Sequence, residues 1–244
     1  MKNPLFYKKI VPLDNVKHRE LRMARKGNVF PFARGANLVP AVIDEFGAAM
    51  AHLPIAFLPG AKQPAAVFVL GLEPGNNLFL EGDDSWAGRY VPAYLRRYPF
   101  IVGDVKGGEA LLCIDEADEG VSRKDGERLF TDGGEAGPAV TQARDLCANY
   151  KRSADRTDEF CATLQTLGLF SSVTLNAQTP GRGNMVVHGL FTIDEAAVDR
   201  LGADDVKLLH EKRFLKPIFQ HLASMGAITK LADRNAERLK ASAA

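Results

Sequence analysis

A chain of 244 residues that is 46% hydrophobic and 25% charged has enough apolar side chains to fold around a core, which excludes general disorder. Its 31 lysine and arginine residues nearly balance its 30 aspartate and glutamate residues, so no overall positive charge attracts nucleic acid or an anionic membrane. Without a signal peptide, a membrane-length apolar run or a CxxC pair among its three cysteines, we expect a soluble cytoplasmic protein with no membrane span and no disulfides. Export by a non-classical route stays open.

The first part of the chain predicts an arm, a helix and a group of short strands. The arm runs to about Phe32 and carries a basic cluster around His18, which we interpret as a solvated surface. Apolar residues at helical spacing predict a helix over Val39–His52, which Pro54 ends. The segments PIAFL, AAVFVLGL and LFLEG are bounded by Gly, Pro and Asn, and they predict a meander of antiparallel strands.

The run DSWAGRYVPAYLRRYPF is the densest mixture of aromatics, arginines and prolines in the chain. Within it, Val91–Tyr98 predicts a helical turn that leads into a strand at Pro99–Val102. Two interpretations stay open: core aromatics of a helix-to-strand junction, or a surface that binds a ligand or partner. The residues proposed for that ligand or partner site are Trp86, Arg89, Tyr94, Arg96, Arg97 and Tyr98.

The middle of the chain predicts a strand, a loop and a long helix. Glu109–Asp115 reads as a strand, and the acidic, glycine-rich segment after it reads as a solvated loop or hairpin that fits the calcium-loop pattern only in part. From Pro138 to near Gly168, apolar residues at helical spacing predict one amphipathic helix, to which we assign no chemistry.

The last third predicts two strands followed by helices. Leu169–Asn176 and MVVHGLFTI read as extended, Thr192 is the predicted N-cap of a short helix, and the last two helices divide at Gly226. Taken together, the elements predict an α+β fold: a mainly antiparallel central sheet with a long amphipathic helix and C-terminal helices packed on it. We expect a single domain over 1–244, with 133–138 as the best internal boundary.

Motifs for catalysis and metal binding do not occur in this sequence. The five histidines form no HExxH or HxxxH pair, and GxSxG and phosphate-loop spacings are missing. His188 lies in an apolar strand, where a hydrogen-bonded core imidazole is the usual role. We therefore predict no metal site and no cofactor.

Several blocks of the chain, in the same order, resemble the SapC family of bacterial proteins. They are VPLDNVKHRELRM, FPFARGANLVP to LPIAF, GNNLFLEGDDSWAGRYVPAYLRRYPF, LLCID, LFTDGGEAGPAVTQA, FTIDEAAVDRL and FLKPIFQHLASMGAITKL, of which YVPAYLRRYPF and LCID are the most specific. The resemblance implies a family named after a surface-layer locus. Its members are often found beside outer-membrane nutrient receptors, cupin-like proteins and halogenase-like proteins. It supplies no agreed catalytic residues.

Two hypotheses for function follow. The first is a non-enzymatic accessory or binding protein, linked to surface-layer or outer-membrane uptake systems, that binds a protein partner or a small anionic ligand. The alternative is an iron-dependent oxygenase acting with halogenase-like neighbours, so enzymatic activity stays open. Its ligands would come from Asp115 and the histidines His18, His52, His188, His210 and His221. The sequence does not set the oligomeric state.

Overall fold

The computed structural model describes the chain apart from residues 1–2, 25–26, 104–109, 180–182 and 244, and apart from the side chains of 175–188 and 242–243. Its contacts divide the chain into two compact units. The first unit contains residues 1–32 and 93–152, and the second contains 33–92 and 153–244. The single domain and its boundary at 133–138 stay predictions.

Strands and helices alternate irregularly along the chain. The strands are β1 (Ile10–Pro12), β2 (Arg22–Met23), β3 (Leu38–Pro40), β4 (Ile55–Leu58), β5 (Ala65–Val69), β6 (Phe100–Gly103), β7 (Leu111–Asp115), β8 (Val121–Ser122), β9 (Glu127–Arg128), β10 (Phe170–Thr179) and β11 (Gly183–Ile193). The α-helices are α1 (Phe46–Ala49), α2 (Ala93–Arg96), α3 (Pro138–Thr166), α4 (Glu195–Asp199), α5 (Ala203–Glu211), α6 (Leu215–Ser224) and α7 (Ala227–Ala243). None of the described helices is long and apolar enough to cross a bilayer.

The first unit contains two small antiparallel sheets, with strand orders β1-β7-β6 and β8-β2-β9. Its core joins strand residues such as Phe100 and Ile114 to Val140, Ala143 and Cys147 on the first half of α3. The helical spacing of these three residues places them on one face, which explains why this face is buried.

The second unit contains the larger sheet, with strand order β10-β11-β4-β5-β3 and antiparallel pairing throughout. Helix α6 packs on β4 and β11, and α7 packs on β10. Fully buried phenylalanines fill the unit, and Phe160 on α3 lies 5.3 Å from Phe214 and 6.5 Å from Phe57 between ring centroids. The predicted α+β class with a mainly antiparallel sheet is therefore confirmed.

The long helix begins and ends where the sequence predicts. Pro138 is its first residue, a position where the missing N–H is not needed. After Thr166 the chain turns at Gly168, whose φ of +66° suits glycine because it has no Cβ. The N–H of Leu169 then donates to the carbonyl of Leu164 at 3.0 Å and closes the end of the helix.

Two local predictions in the second unit are wrong. Val39 and Pro40, predicted as the start of a helix, belong to strand β3, which pairs with β5, and helical structure begins only at Ile43. LFLEG forms no strand and contributes one isolated bridge, between Leu80 and Trp86. In both places the tertiary partner decides, because strand preference depends on what lies alongside.

The predicted N-cap of α4 is wrong by two residues. Asp194 caps the helix by accepting from the N–H of Ala197 at 3.2 Å. The hydroxyl oxygen of Thr192 instead lies 2.9 Å from Nε2 of His221. The Thr192 side chain therefore contacts the buried His221 imidazole and does not form the helix cap that the capping-box pattern predicted.

The three cysteines are free and buried, as packing residues are. Burial raises the pKa of the Cys147 thiol to about 11 and that of Cys161 to about 12, so neither is a thiolate at neutral pH. We expect the native protein to resist a colorimetric disulfide reagent, whereas the urea-unfolded chain releases three equivalents. Rapid modification of a thiol in the native protein would contradict this.

Candidate functional site

The six residues predicted as a binding surface are mostly buried. Four are inaccessible and two, Arg89 and Arg96, are exposed. The buried four are Trp86, Tyr94, Arg97 and Tyr98. Trp86 and Arg89 belong to the second unit and the remaining four to the first, so the structure groups only Tyr94, Arg96, Arg97 and Tyr98 within one unit. Their role as a binding site stays a prediction.

Trp86 packs inside the second unit. Its ring stacks on Phe79 with a centroid distance of 5.2 Å and an interplanar angle of 15°. Its indole N–H donates to the carbonyl of Tyr90 at 2.9 Å. On the same Phe79 ring lies the guanidinium of Arg234, 4.7 Å from the centroid. The polar group of Trp86 is therefore satisfied by its own chain, as is usual for a buried tryptophan.

Arg97 is a buried cation held between aromatic rings. Its guanidinium carbon lies 4.4 Å from the ring centroid of Tyr94 and 4.1 Å from that of Tyr150. The side chain is 8% exposed, and its Nε makes no hydrogen bond within the described part of the chain. Burial raises the pKa of Tyr94, while Arg97 opposes that rise. The aromatic faces stabilise the charge through cation–π contact, so Arg97 serves the core of the unit.

Tyr98 belongs to a hydrogen-bond network around a buried carboxylate. Asp115 is fully buried, and its Oδ2 accepts from the backbone N–H of Lys8 at 2.8 Å and from the Tyr98 hydroxyl at 3.2 Å. Its Oδ1 accepts from the N–H groups of Lys9 at 2.8 Å and Ala117 at 3.1 Å. Burial raises the pKa of Asp115, but these four donors outweigh it and lower the pKa overall.

Asp115 is the last residue of the predicted strand Glu109–Asp115, and its carboxylate has no exposed surface. Sequence reasoning missed this role. The available signal was the segment LCID, an apolar strand that ends in an acidic residue. A carboxylate in that position needs several donors before its burial becomes tolerable.

His18 is also buried, which corrects the interpretation of its cluster as solvated. Its Nδ1 accepts from the N–H of Asp14 at 2.9 Å, so its Nε2 carries the proton and donates to Oε1 of Glu116 at 3.0 Å. Lys9 and Lys17 form ion pairs with the same carboxylate at 2.8 and 3.1 Å. Hydrogen bonds from Lys9, Lys17 and His18 lower the pKa of Glu116 to about 2.

The other histidines offer no joint site within the described part of the chain. His221 is fully buried, and its Nε2 accepts from the N–H of Ile193 at 3.1 Å. His52 is half-buried, His210 is exposed, and the side chain of His188 lies outside the described residues. Among the described residues, no three or more His, Cys, Asp or Glu side chains are placed to hold a metal ion.

A cavity of about 790 Å³ lies in the first unit between the β1-β7-β6 sheet and the first half of α3. We call it the basic groove, defined by its apolar residues Leu13, Leu112 and Val140 and by the cations Arg144, Lys151 and Arg152. Because these cations recur at helical spacing with Val140, they share one side of α3. Sequence reasoning assigned no chemistry to this helix, although that spacing was visible.

Comparison with known proteins identifies the family. The SapC family model matches residues 13–231, nearly the whole chain. The chain therefore belongs to the SapC family. Searches of the curated proteins and of the solved structures return no match.

We predict that Asp115→Asn destabilises the protein by roughly 3 kcal/mol. The NH₂ group of the asparagine would face N–H and O–H donors from which it cannot accept hydrogen bonds, and the negative charge that attracts these donors would be lost. Urea unfolding measures this, with Asp125→Asn as the exposed control. Since the folded pKa of Asp115 is lowered, its stabilisation is present above the unfolded value of 3.8 and is lost as pH falls through the folded pKa. Equal losses of stability in the two variants would show that the hydrogen bonds of Asp115 do not stabilise the fold.

A second prediction concerns acid stability. Burial lowers the pKa of His221 to about 4 from its ordinary 6.5. Between these two pH values His221 is protonated in the unfolded chain and neutral in the folded chain. The free energy of unfolding should fall by about 3 kcal/mol between these pH values through this group alone. His221→Gln keeps an acceptor for the Ile193 N–H but does not titrate, so its pH dependence should be flatter. The exposed control His210→Gln should keep the wild-type slope; an unchanged slope in His221→Gln would contradict the prediction.

Proposed function

We propose that this SapC-family chain is a non-enzymatic accessory or binding protein whose basic groove holds an acidic amphipathic segment of a protein partner. The observation that carries the proposal is the row of three cations beside an apolar cavity. The link to surface-layer or outer-membrane uptake systems, which the family resemblance implies, is part of the proposal. So is a cytoplasmic location, which three free cysteines favour.

The charge of the groove favours an anionic occupant. Arg144 and Arg152 are exposed, and the described residues include no carboxylate that pairs with Arg144. Arg152 donates to the neutral side chain of Asn149 and so keeps its charge unneutralised there. Asp14 also lines the groove, but its carboxylate accepts from the backbone N–H groups of Val16 and Lys17. Two exposed arginines against one engaged carboxylate leave the groove positive.

The length of the charged row favours a peptide segment over a small anion. Arg144 and Arg152 lie about 12 Å apart along the axis of α3, at roughly 1.5 Å per residue. One carboxylate reaches only one end of such a row, whereas an extended acidic segment reaches both. Arginine also binds carboxylates through two parallel hydrogen bonds, which adds specificity.

Apolar surface in the same groove favours an amphipathic segment. Leu111 is 43% exposed, and Leu13, Val102 and Leu112 are only half-buried. A partner helix that places apolar residues on these side chains removes them from water, while its acidic residues face the cations. The two features together describe helix-in-groove recognition.

The oxygenase alternative has no specific observation in its favour. Both ring nitrogens of His18 and both oxygens of Asp115 are hydrogen-bonded to their own chain. Iron analysis of protein purified anaerobically with added iron tests this alternative directly.

A synthetic peptide tests the proposal: a fluorescein-labelled helix with one leucine face and one glutamate face, followed by anisotropy. We expect binding that salt weakens and that Arg144→Glu with Arg152→Glu weakens by roughly tenfold or more. The matched control is Arg96→Glu, an exposed arginine of the same unit that does not line the groove.

Two results would contradict the groove as the site. One is equal binding of a peptide with lysine in place of glutamate, and the other is loss of binding in Arg96→Glu alone, which would point to the surface predicted from sequence. Binding of octanoate, but not of the peptide, would assign the groove to a small anion.

A further inference from the structure

A second cavity of the first unit, of about 620 Å³, differs from the basic groove in both charge and lining. Phe6, Phe32 and Tyr98 contribute aromatic rings, and Lys8, Asp118 and Glu119 contribute charges. We call it the aromatic pocket. Its volume is in the range of small-molecule sites.

The rings form one continuous wall. Phe32 lies 4.2 Å from Tyr98 and 5.0 Å from Phe6 between ring centroids, and Phe6 lies 6.2 Å from Tyr98. Phe6 and Phe32 are only half-buried, although aromatic rings in a core are normally covered. The backbone of Phe6 has φ +78°, which is rare for a bulky residue. The wall thus presents aromatic surface to the pocket.

The polar end of Tyr98 does not face a ligand, because its hydroxyl is bonded to Asp115. Tyr98 is also only 5% exposed, so the ring surface that a ligand can reach comes mainly from Phe6 and Phe32. Ring faces carry a partial negative charge and attract cations, and they offer no such attraction to anions.

One charged residue of the pocket favours the same sign. Glu119 supplies an exposed carboxylate and Lys8 an exposed ammonium, while Asp118 is buried. Glu119 is exposed and has no ion-pair partner within the described part of the chain. A cationic ligand is attracted by the Glu119 carboxylate and by the electron-rich rings together, whereas an anionic ligand is attracted only by the Lys8 ammonium.

We propose that the aromatic pocket binds a small organic cation, an ammonium group carried on an apolar body. The apolar body contacts the phenylalanine rings, and the ammonium group lies against ring faces and the Glu119 carboxylate. This site is separate from the basic groove, which takes the opposite charge.

The probe is benzyltrimethylammonium, because its charge does not depend on pH. The anionic comparison is 3-phenylpropionate, and titration calorimetry measures the binding of both. We expect saturable binding of the cation, and we expect the anion to bind at least about tenfold more weakly. Phe32→Leu removes a ring while keeping apolar volume, and we expect its dissociation constant to rise roughly tenfold. Glu119→Gln should raise it about threefold or more, and Glu127→Gln, exposed and outside the pocket, should leave it unchanged.

Equal or tighter binding of 3-phenylpropionate overturns the proposal, as does an unchanged constant in Glu119→Gln or no binding of the cation at all. Thermal unfolding verifies that each variant folds; if Phe32→Leu does not, the comparison of the two probes and the Glu119→Gln variant still decide. Charge reversal at Arg144 and Arg152 should not change binding of this probe. Failure at one cavity is thereby distinguished from failure at the other.

Discussion

The buried carboxylate of Asp115 holds the first unit together. It accepts hydrogen bonds from the backbone of Lys8 and Lys9, which are 107 and 106 residues away in the chain. A carboxylate removed from water is costly unless several donors surround it, so the strand that carries Asp115 and the arm that supplies the donors specify each other. The network fixes where Phe6 and β1 lie, and through them a wall of each cavity in this unit.

A second buried charge in the same unit is stabilised in a different way. Within the described part of the chain, Arg97 has ring faces in place of a carboxylate, with Tyr94 and Tyr150 on either side and Tyr7 at 5.8 Å. Tyr7 in turn donates its hydroxyl to the carbonyl of Phe100 at 2.6 Å. The segment YVPAYLRRYPF is thus largely internal framework, with Arg96 as an arginine that faces solvent. Arginine and tyrosine are equally typical of interfaces and of buried cation–π contacts, so composition alone could not separate the two.

What could be predicted from the sequence is what local periodicity encodes. Helix α3, the β4–β5 pair and the C-terminal helices follow from spacing, proline and glycine, because their stabilising contacts repeat along the segment itself. The strand at Leu38–Pro40, the contact of Thr192 with His221 and the burial of His18 could not be predicted, because each depends on a partner far along the chain. The same holds for the site: helical spacing places Arg144 and Arg152 on one side, but only the fold sets apolar strands opposite them.

The two cavities share the N-terminal arm, which gives a physical basis for coupling between them. Leu13 and Asp14 line the basic groove, while Phe6 and Lys8 line the aromatic pocket, and the Asp115 carboxylate fixes the backbone between these pairs. A ligand that displaces the arm at one cavity would therefore move lining residues of the other, because the arm is continuous between them. Linkage of this kind is reciprocal, since each ligand changes the affinity for the other by the same factor. If the basic groove and the aromatic pocket are both binding sites, a ligand at either one would change the affinity of the other by this route, although the two ligands do not touch.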